Sequence, residues 1–220
     1  LARDLGLSEI QTSSIFAISA LAWATTSAFW GRISDKYGRR NIAILGLVGY
    51  SISLIALITP LFLAQKNLIN VTLLFPALVL GRLINGLVGS ATRPASFAYI
   101  ADITSKDNRT VKFARLESSF LLGTVAGPLV GGFLFLISNE TPFYVFSGLA
   151  FIAAVGIYRK LDSVTKKKNT VKKLNKINWY SSTIWPFLAF AAVLSLCQAS
   201  LLQSIGFYIT DLYSDFDNLP

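Results

Sequence analysis

Charged side chains are scarce in this chain, and those at three places are candidates for a functional role. The stretch GRISDKYGRR, residues 31–40, sets Asp35 among four cations, where its carboxylate can bind free backbone amides or a neighbouring arginine. Arg82 lies deep in a long apolar stretch, where a charge is costly and usually faces a cavity or a partner. Arg93 follows beside Pro94, which can kink a helix and leave carbonyls free. Such charges suit ion pairs and solute paths in an apolar protein.

The side chains on which most catalytic sites depend are absent or isolated. The 220 residues contain no His and a single Cys, Cys197, which excludes a His-centred triad, a His-based metal site and an intrachain disulfide from them. The sequence contains neither a nucleophile paired with a base nor a cluster of carboxylates. It therefore predicts a protein that is not an enzyme and that needs no metal and no cofactor.

The residues around these charges form long apolar runs. The chain is 53% hydrophobic and 14% charged, whereas soluble domains are about 25% charged. Runs of about 18 or more apolar residues predict membrane-spanning helices, because lipid offers no partner for backbone N–H and C=O groups. We count six runs, of which the fifth is short: residues 10–30, 42–64, 73–100, 118–137, 143–158 and 183–209. The sequence therefore predicts an all-α transmembrane protein.

Basic residues mark alternate connections between the runs. Most lysines and arginines fall in residues 31–41, 102–117 and 159–178, whereas the other connections carry almost none. The positive-inside rule then places these three loops in the cytoplasm and both chain ends on the outer side of the inner (plasma) membrane. This topology explains the net charge of +9, so we expect no nucleic-acid partner. The Lys-rich stretch 163–176 is a solvated linker that can also contact anionic membrane lipid.

The stretch at residues 31–40 has a more specific pattern than a basic loop needs. Taken alone, it is a short basic loop that anchors two helices, with Gly31 and Gly38 in a tight turn. Its pattern G-x-x-x-D-K-x-G-R-R resembles the loop between the second and third helices of the major facilitator superfamily. That resemblance implies a cytoplasmic gate in which Arg39 pairs with Asp102 and releases it when the inner side opens. The gate residues would be Gly31, Asp35, Gly38, Arg39, Arg40 and Asp102.

The same resemblance assigns a place in the family to each apolar run. The six runs correspond to family helices two to seven, so the first helix and most of the second half are expected outside this chain. Residues 1–158 would form the first helical bundle without its first helix, and residues 159–178 a cytoplasmic linker. Residues 179–220 would form the first helix of the second bundle and an outer loop. Transport would then need the missing half of the protein.

Two further motifs resemble those of transporters in this family. The pattern R-x-x-N-G resembles the fourth-helix motif, with Asn85 in place of the usual Gln, and implies that Arg82 and Asn85 take part in proton coupling. Taken alone, Arg82 could instead bind helix-end carbonyls. The pattern G-x-x-x-G-P-x-x-G-G resembles the fifth-helix signature of proton-coupled antiporters and implies a seal against the other half, although its spacing alone indicates only close packing. Its residues are Gly123, Gly127, Pro128, Gly131 and Gly132.

These motifs together imply an antiporter that exports small lipophilic solutes or drugs by alternating access, driven by the proton gradient. The alternatives are a symporter or facilitator for a metabolite on the same fold, and a membrane scaffold without transport. Arg93, Gln198 and Gln203 are candidate cavity residues, although an interfacial anchor and hydrogen bonds between helices explain them equally. No acid lies midway along any run, so we expect the proton-carrying carboxylate outside this chain. Tetracycline exporters carry an acid about where Ser53 stands here, which argues against metal–tetracycline as the substrate.

Overall fold

The computed structural model describes residues 7–162 and the positions 185, 186, 189, 190, 192–194 and 197. The chain divides into two units, Leu1–Lys167 and Lys168–Pro220. The described part of the first unit is helical and contains no strand. Its elements are α1 (Glu9–Tyr37), α2 (Arg39–Gln65), α3 (Val71–Leu87), a 3-10 turn (Gly89–Ala91), α4 (Thr92–Ile103), α5 (Arg109–Phe135) and α6 (Thr141–Lys160). The predicted all-α class is confirmed, and the division at residues 159–178 stays a prediction.

Four helical stretches are long and apolar enough to cross a membrane, namely Arg39–Gln65, Thr72–Ile103, Arg109–Phe135 and Thr141–Lys160. They coincide with four of the six predicted runs. The first run, residues 10–30, lies within the 29 residues of α1, whose many serines and threonines make it less apolar than these four stretches. The sixth run, residues 183–209, lies almost entirely outside the described residues.

The first two helices are joined by one residue, where the sequence predicted a loop over residues 31–41. Helix α1 continues to Tyr37, and α2 begins at Arg39. Gly38 between them has a φ of 94°, a backbone conformation that glycine adopts at little cost. Gly31 lies inside α1, so its assignment to a tight turn was wrong. Asp35 near the end of α1 pairs across this turn with Arg39, the first residue of α2.

The third predicted run is broken close to Pro94. The 3-10 turn separates α3 from α4, and Pro94 is the third residue of α4. Proline has no N–H to donate to the carbonyl four residues earlier, and its ring displaces that carbonyl, so the regular helix is interrupted just before it. Side chains of α1 form hydrogen bonds with carbonyls at the end of α3. The Trp30 Nε1 donates to the Leu87 carbonyl at 2.6 Å, and the Thr26 hydroxyl lies 3.0 Å from the Gly86 carbonyl.

Small and hydroxylated residues bring the helices close together. A Cβ on Gly86 would lie 2.5 Å from the Ser19 carbonyl oxygen, so α3 and α1 are almost in backbone contact. Helices α2 and α6 are joined by two buried serines, Ser51 and Ser147, whose hydroxyl oxygens lie 2.8 Å apart. Ser53 donates to the Gly81 carbonyl at 2.8 Å and joins α2 to α3. Hydrogen bonds of this kind hold helices together where the solvent is lipid.

The glycines of α2 and α6 should respond to the same substitution with opposite signs. A Cβ at Gly46 would lie 2.5 Å from the Thr92 backbone nitrogen, so Gly46→Ala is expected to lower stability by about 1–3 kcal/mol through overpacking. Gly148 on α6 has no atom within 4 Å of such a Cβ, so Gly148→Ala is expected to raise stability by roughly 0.5–1 kcal/mol through helix propensity. Thermal unfolding in detergent measures both. Equal shifts would contradict the close approach of α2 and α4.

Candidate functional site

The strongest polar network lies at the end of the bundle where α1 meets α2, called here the Gly38 end. Its centre is Arg39, which is only 8% exposed. The Arg39 Nε donates to the Asp102 carboxylate at 3.1 Å, and another guanidinium nitrogen pairs with Asp35. The third nitrogen donates to the Ser34 hydroxyl at 2.6 Å and to the Gly31 carbonyl at 3.2 Å. One guanidinium therefore joins the end of α1, the start of α2 and the end of α4.

The local sequence explains how these groups meet. Gly38 turns the chain within one residue, so Arg39 at the start of α2 lies beside the last turns of α1. Asp102 is the penultimate residue of α4, and its carboxylate is 14% exposed. The structure thus brings together five of the six residues that the sequence assigned to a gate. It also adds Ser34, which is 1% exposed and which sequence reasoning missed because an uncharged serine carries no distinctive signal.

Arg40, the sixth assigned residue, lies apart from this carboxylate network. Its guanidinium donates to the Leu161 carbonyl at 2.8 Å and lies over the Tyr158 ring, 5.3 Å from the centroid. Tyr158 lies in the last turn of α6, and Leu161 directly follows that helix. Successive residues at the start of a helix point about 100° apart, so Arg39 and Arg40 serve different neighbours. The structure therefore separates two arginines that the sequence pattern grouped together.

Arg82 lies inside the apolar part of α3 without a carboxylate. Its guanidinium carbon lies 5.0 Å from the centroid of the Phe16 ring on α1, and its buried Nε has no hydrogen-bond partner. None of the three ion pairs among the described residues includes it. Asn85, one turn later, is 8% exposed, and its side-chain oxygen also has no hydrogen-bond partner in this part of the chain. An incompletely satisfied cation and amide inside an apolar helix can act electrostatically on a group brought near them.

Arg93 forms an ion pair that the sequence analysis did not foresee. It pairs with Glu117 of α5 and lies over two phenyl rings, 5.9 Å from the Phe97 centroid and 5.3 Å from the Phe120 centroid. Both charged side chains are about half exposed, at 52% and 41%. Glu117 is the ninth residue of α5, which begins at Arg109. The sequence feature that could have predicted this ion pair is the presence of opposite charges on two consecutive predicted helices.

The remaining predicted residues lie on α5 or beyond the described ranges. A Cβ on Gly123, Gly127 or Gly132 would meet no atom of the described structure within 4 Å, whereas one on Gly131 would touch Phe146 of α6 at 3.7 Å. Beside them is a groove of about 450 Å³, lined by α5 and α6 residues that include Pro128. Most of this glycine face is therefore bare in the part of the chain that the structure describes. Gln198 and Gln203 lie outside that part.

Comparison with known proteins decides the family. Residues 1–218 match the family model of the Major Facilitator Superfamily. The chain belongs to the major facilitator superfamily. Among curated relatives, it is 30% identical over 184 residues to the quinolone resistance protein NorA of Staphylococcus aureus, which covers 80% of this chain and 44% of that protein. It is 36% identical over 131 residues to the class B tetracycline resistance protein of Escherichia coli, which covers 60% of this chain and 29% of that protein.

The match to this superfamily, a family of membrane transporters, confirms the predicted family, and the relatives named for quinolone and tetracycline resistance support the predicted drug-efflux branch. The chain spans less than half the length of the curated relatives it matches. Arg39 makes four hydrogen bonds that join α2 to α1 and α4 at the Gly38 end.

Proposed function

We propose that this chain is part of a proton-coupled antiporter that exports small lipophilic solutes or drugs by alternating access. The observation that carries the proposal is the bare glycine face of α5. Residues 123–132 resemble the antiporter signature, and three of their glycines have no described neighbour within 4 Å. A face of small residues allows close approach of another helix. We infer that this helix belongs to the second half of the transporter, which the face seals against.

The Arg39 network is the proposed gate of this transporter. Its bonds hold α1, α2 and α4 together at the Gly38 end, and an inward-open state requires that some of them break. The concentration of basic residues at this end supports its placement in the cytoplasm, with both chain ends on the outer side of the plasma membrane. Because Arg39 binds two carboxylates at once, one of these can be exchanged while the other keeps the guanidinium partly neutralised.

Proton coupling is proposed to depend on Arg82 and Asn85. An unpaired cation at membrane depth favours the ionised form of a carboxylate that approaches it and so favours proton release there. No acid of this chain lies midway along an apolar run, so that carboxylate is proposed to come from another part of the protein. The proton gradient would be the energy source, with no bound cofactor.

The proposed substrates are lipophilic drugs other than metal–tetracycline. The two relatives are named for resistance to quinolones and to tetracycline. Ser53 stands about where tetracycline exporters carry an acid, and it is 1% exposed, with its hydroxyl bonded to the Gly81 carbonyl. A buried serine engaged with a neighbouring helix offers no charge for a metal–drug complex. This favours organic solutes recognised by apolar surface and shape.

Everted membrane vesicles test the proposal directly. The protein is expressed from its complete reading frame, and the lumen is acidified. Lipophilic cations, quinolones and tetracycline are then added while proton release from the lumen is recorded. We expect release with lipophilic drugs and none in vesicles without the protein. Solute equilibration without any gradient, and no drug-driven release, would instead support a facilitator on the same fold.

Substitution of the glycine face provides the matched control for that assay. Gly127→Leu places a bulky side chain on the face proposed to seal, so drug-driven proton release is expected to fall about tenfold or more. Gly148→Leu makes the same change at another glycine with no neighbour within 4 Å, and is expected to leave release unchanged. Equal loss in both variants would show that the α5 face has no special role.

A further inference from the structure

A second cavity adjoins the Arg39 network at the Gly38 end, and both Arg39 and Arg40 line it. It has a volume of about 280 Å³ and is walled by α2, α4, α5 and α6. Its lining is mainly apolar and includes Ala43, Ile100, Ile103, Leu116, Ile157 and Leu161. Apolar cavities of this kind do not hold ordered water, because water there would lack hydrogen-bond partners. In a membrane, the available apolar filler is a lipid acyl chain.

The arrangement of α5 and α6 explains why the cavity exists. Their ring contact, between Phe135 and Phe143, lies at the opposite end of the two helices, where a Cβ on Gly131 would also lie 3.7 Å from the Phe146 ring. Towards the Gly38 end, Leu116 of α5 and Ile157 of α6 both border the cavity instead. The space is therefore a wedge between two membrane helices, and membrane helices are surrounded by lipid.

The guanidinium of Arg40 borders this wedge, and no carboxylate among the described residues neutralises its charge. Its guanidinium makes one hydrogen bond, to the Leu161 carbonyl, and its buried Nε has no hydrogen-bond partner among the described residues. None of the three ion pairs in those ranges contains it. The last turn of α6 adds two exposed cations, Arg159 and Lys160. The neighbouring Arg39 is different, because its three nitrogens are all engaged.

We propose that this cavity binds an anionic phospholipid, with its phosphate on Arg40 and one acyl chain in the apolar wedge. A guanidinium binds phosphate oxygens with two parallel hydrogen bonds where the geometry allows. A soluble anion would neutralise Arg40 but leave the wedge empty. A neutral lipophilic solute would fill the wedge but leave the cation unpaired. A phospholipid with net negative charge satisfies both, and the membrane presents it at this depth.

Native mass spectrometry of the full-length protein tests the proposal. The protein is extracted from bilayers that contain phosphatidylglycerol and phosphatidylcholine in equal amounts, and the retained lipids are identified. We expect the wild type to retain phosphatidylglycerol in preference to phosphatidylcholine. Arg40→Gln is expected to reduce retained phosphatidylglycerol about fivefold, because this is the change in binding expected when one basic residue near an anionic membrane surface is lost. Ser96→Phe, which fills the cavity while Arg40 stays in place, is expected to reduce retention of both lipids.

Arg32→Gln is the matched control, because Arg32 is an exposed cation at the same end that does not line the cavity. It is expected to retain lipid like the wild type. Thermal unfolding identifies a misfolded variant, and Ser96→Phe decides the test if Arg40→Gln is unstable. Unchanged retention in Ser96→Phe, or equal loss in Arg32→Gln, would overturn the proposal. Displacement of the lipid by inorganic phosphate or by a lipophilic cation would overturn it in favour of that occupant.

Discussion

Arg39→Gln is expected to destabilise the bundle by about 3 kcal/mol, because it removes the guanidinium from an almost buried carboxylate. Asp102 is 14% exposed and Asp35 is 53% exposed, so the interaction with Asp102 should account for most of the loss. By comparison, an ion pair between exposed side chains would contribute only roughly 0–1 kcal/mol to the free energy of unfolding. The measurement is the apparent melting temperature of the purified full-length protein in one detergent at a fixed scan rate, since membrane proteins often unfold irreversibly.

A double-mutant cycle separates the Arg39–Asp102 contact from the rest of the network. Asp102→Asn keeps the shape of the side chain and removes its charge. If the two groups interact, the double variant should lose less than the sum of the single variants, by roughly 1–3 kcal/mol. Arg32→Gln, an exposed cation at the same end, should change stability by less than about 0.5 kcal/mol. Strict additivity in the cycle would show that the two groups act independently.

Arg82→Leu is expected to have the opposite profile, with stability kept and transport lost. The Arg82 Nε is buried without a hydrogen-bond partner, and no described carboxylate pairs with the side chain. Replacing an incompletely satisfied buried charge by an apolar side chain is often neutral or stabilising. If the charge serves proton coupling, drug-driven proton release in everted vesicles should fall at least about tenfold, which corresponds to about 1.4 kcal/mol.

Two companion variants show which property of Arg82 matters. Arg82→Lys keeps the positive charge and should retain part of the coupled release. Phe16→Leu removes the ring that lies 5.0 Å from the guanidinium and should change release little, because a cation–π contact is worth only about 0.5–2 kcal/mol. A large loss of thermal stability in Arg82→Leu would show that Arg82 has a structural role instead. Normal drug-driven release in the same variant would remove it from the coupling path.

The contrast between Arg39 and Arg82 has a practical use for interpreting variants of this chain. Arg39 makes hydrogen bonds through all three nitrogens, so its loss should appear first in stability. Arg82 has a single cation–π contact and a buried nitrogen without a partner, so its loss should appear first in function. Measuring stability and transport in parallel for each variant therefore distinguishes an arginine that holds the bundle together from one that acts on the transported species.

The sequence by itself determined the class of the protein, its family and the four helices that are long and apolar enough to cross a membrane. Hydropathy and charge patterns are local properties, and lipid enforces helices on any long apolar run, so these features need no knowledge of packing. The family motifs are local for the same reason. The resemblance also pointed to Arg39 and Asp102, which lie 63 positions apart, as partners.

Only the tertiary structure decided which other charges meet. Arg40 reaches the Leu161 carbonyl across 121 positions, and Arg93 reaches Glu117 across the turn between α4 and α5. It also decided that Gly38 turns the chain while Gly31 stays helical, and that Gly46 is tightly packed while Gly127 is bare. The physical reason is that the type of a residue determines which groups its side chain can bind. Which neighbour it binds depends on how the helices are placed against one another, and short-range patterns do not encode that placement.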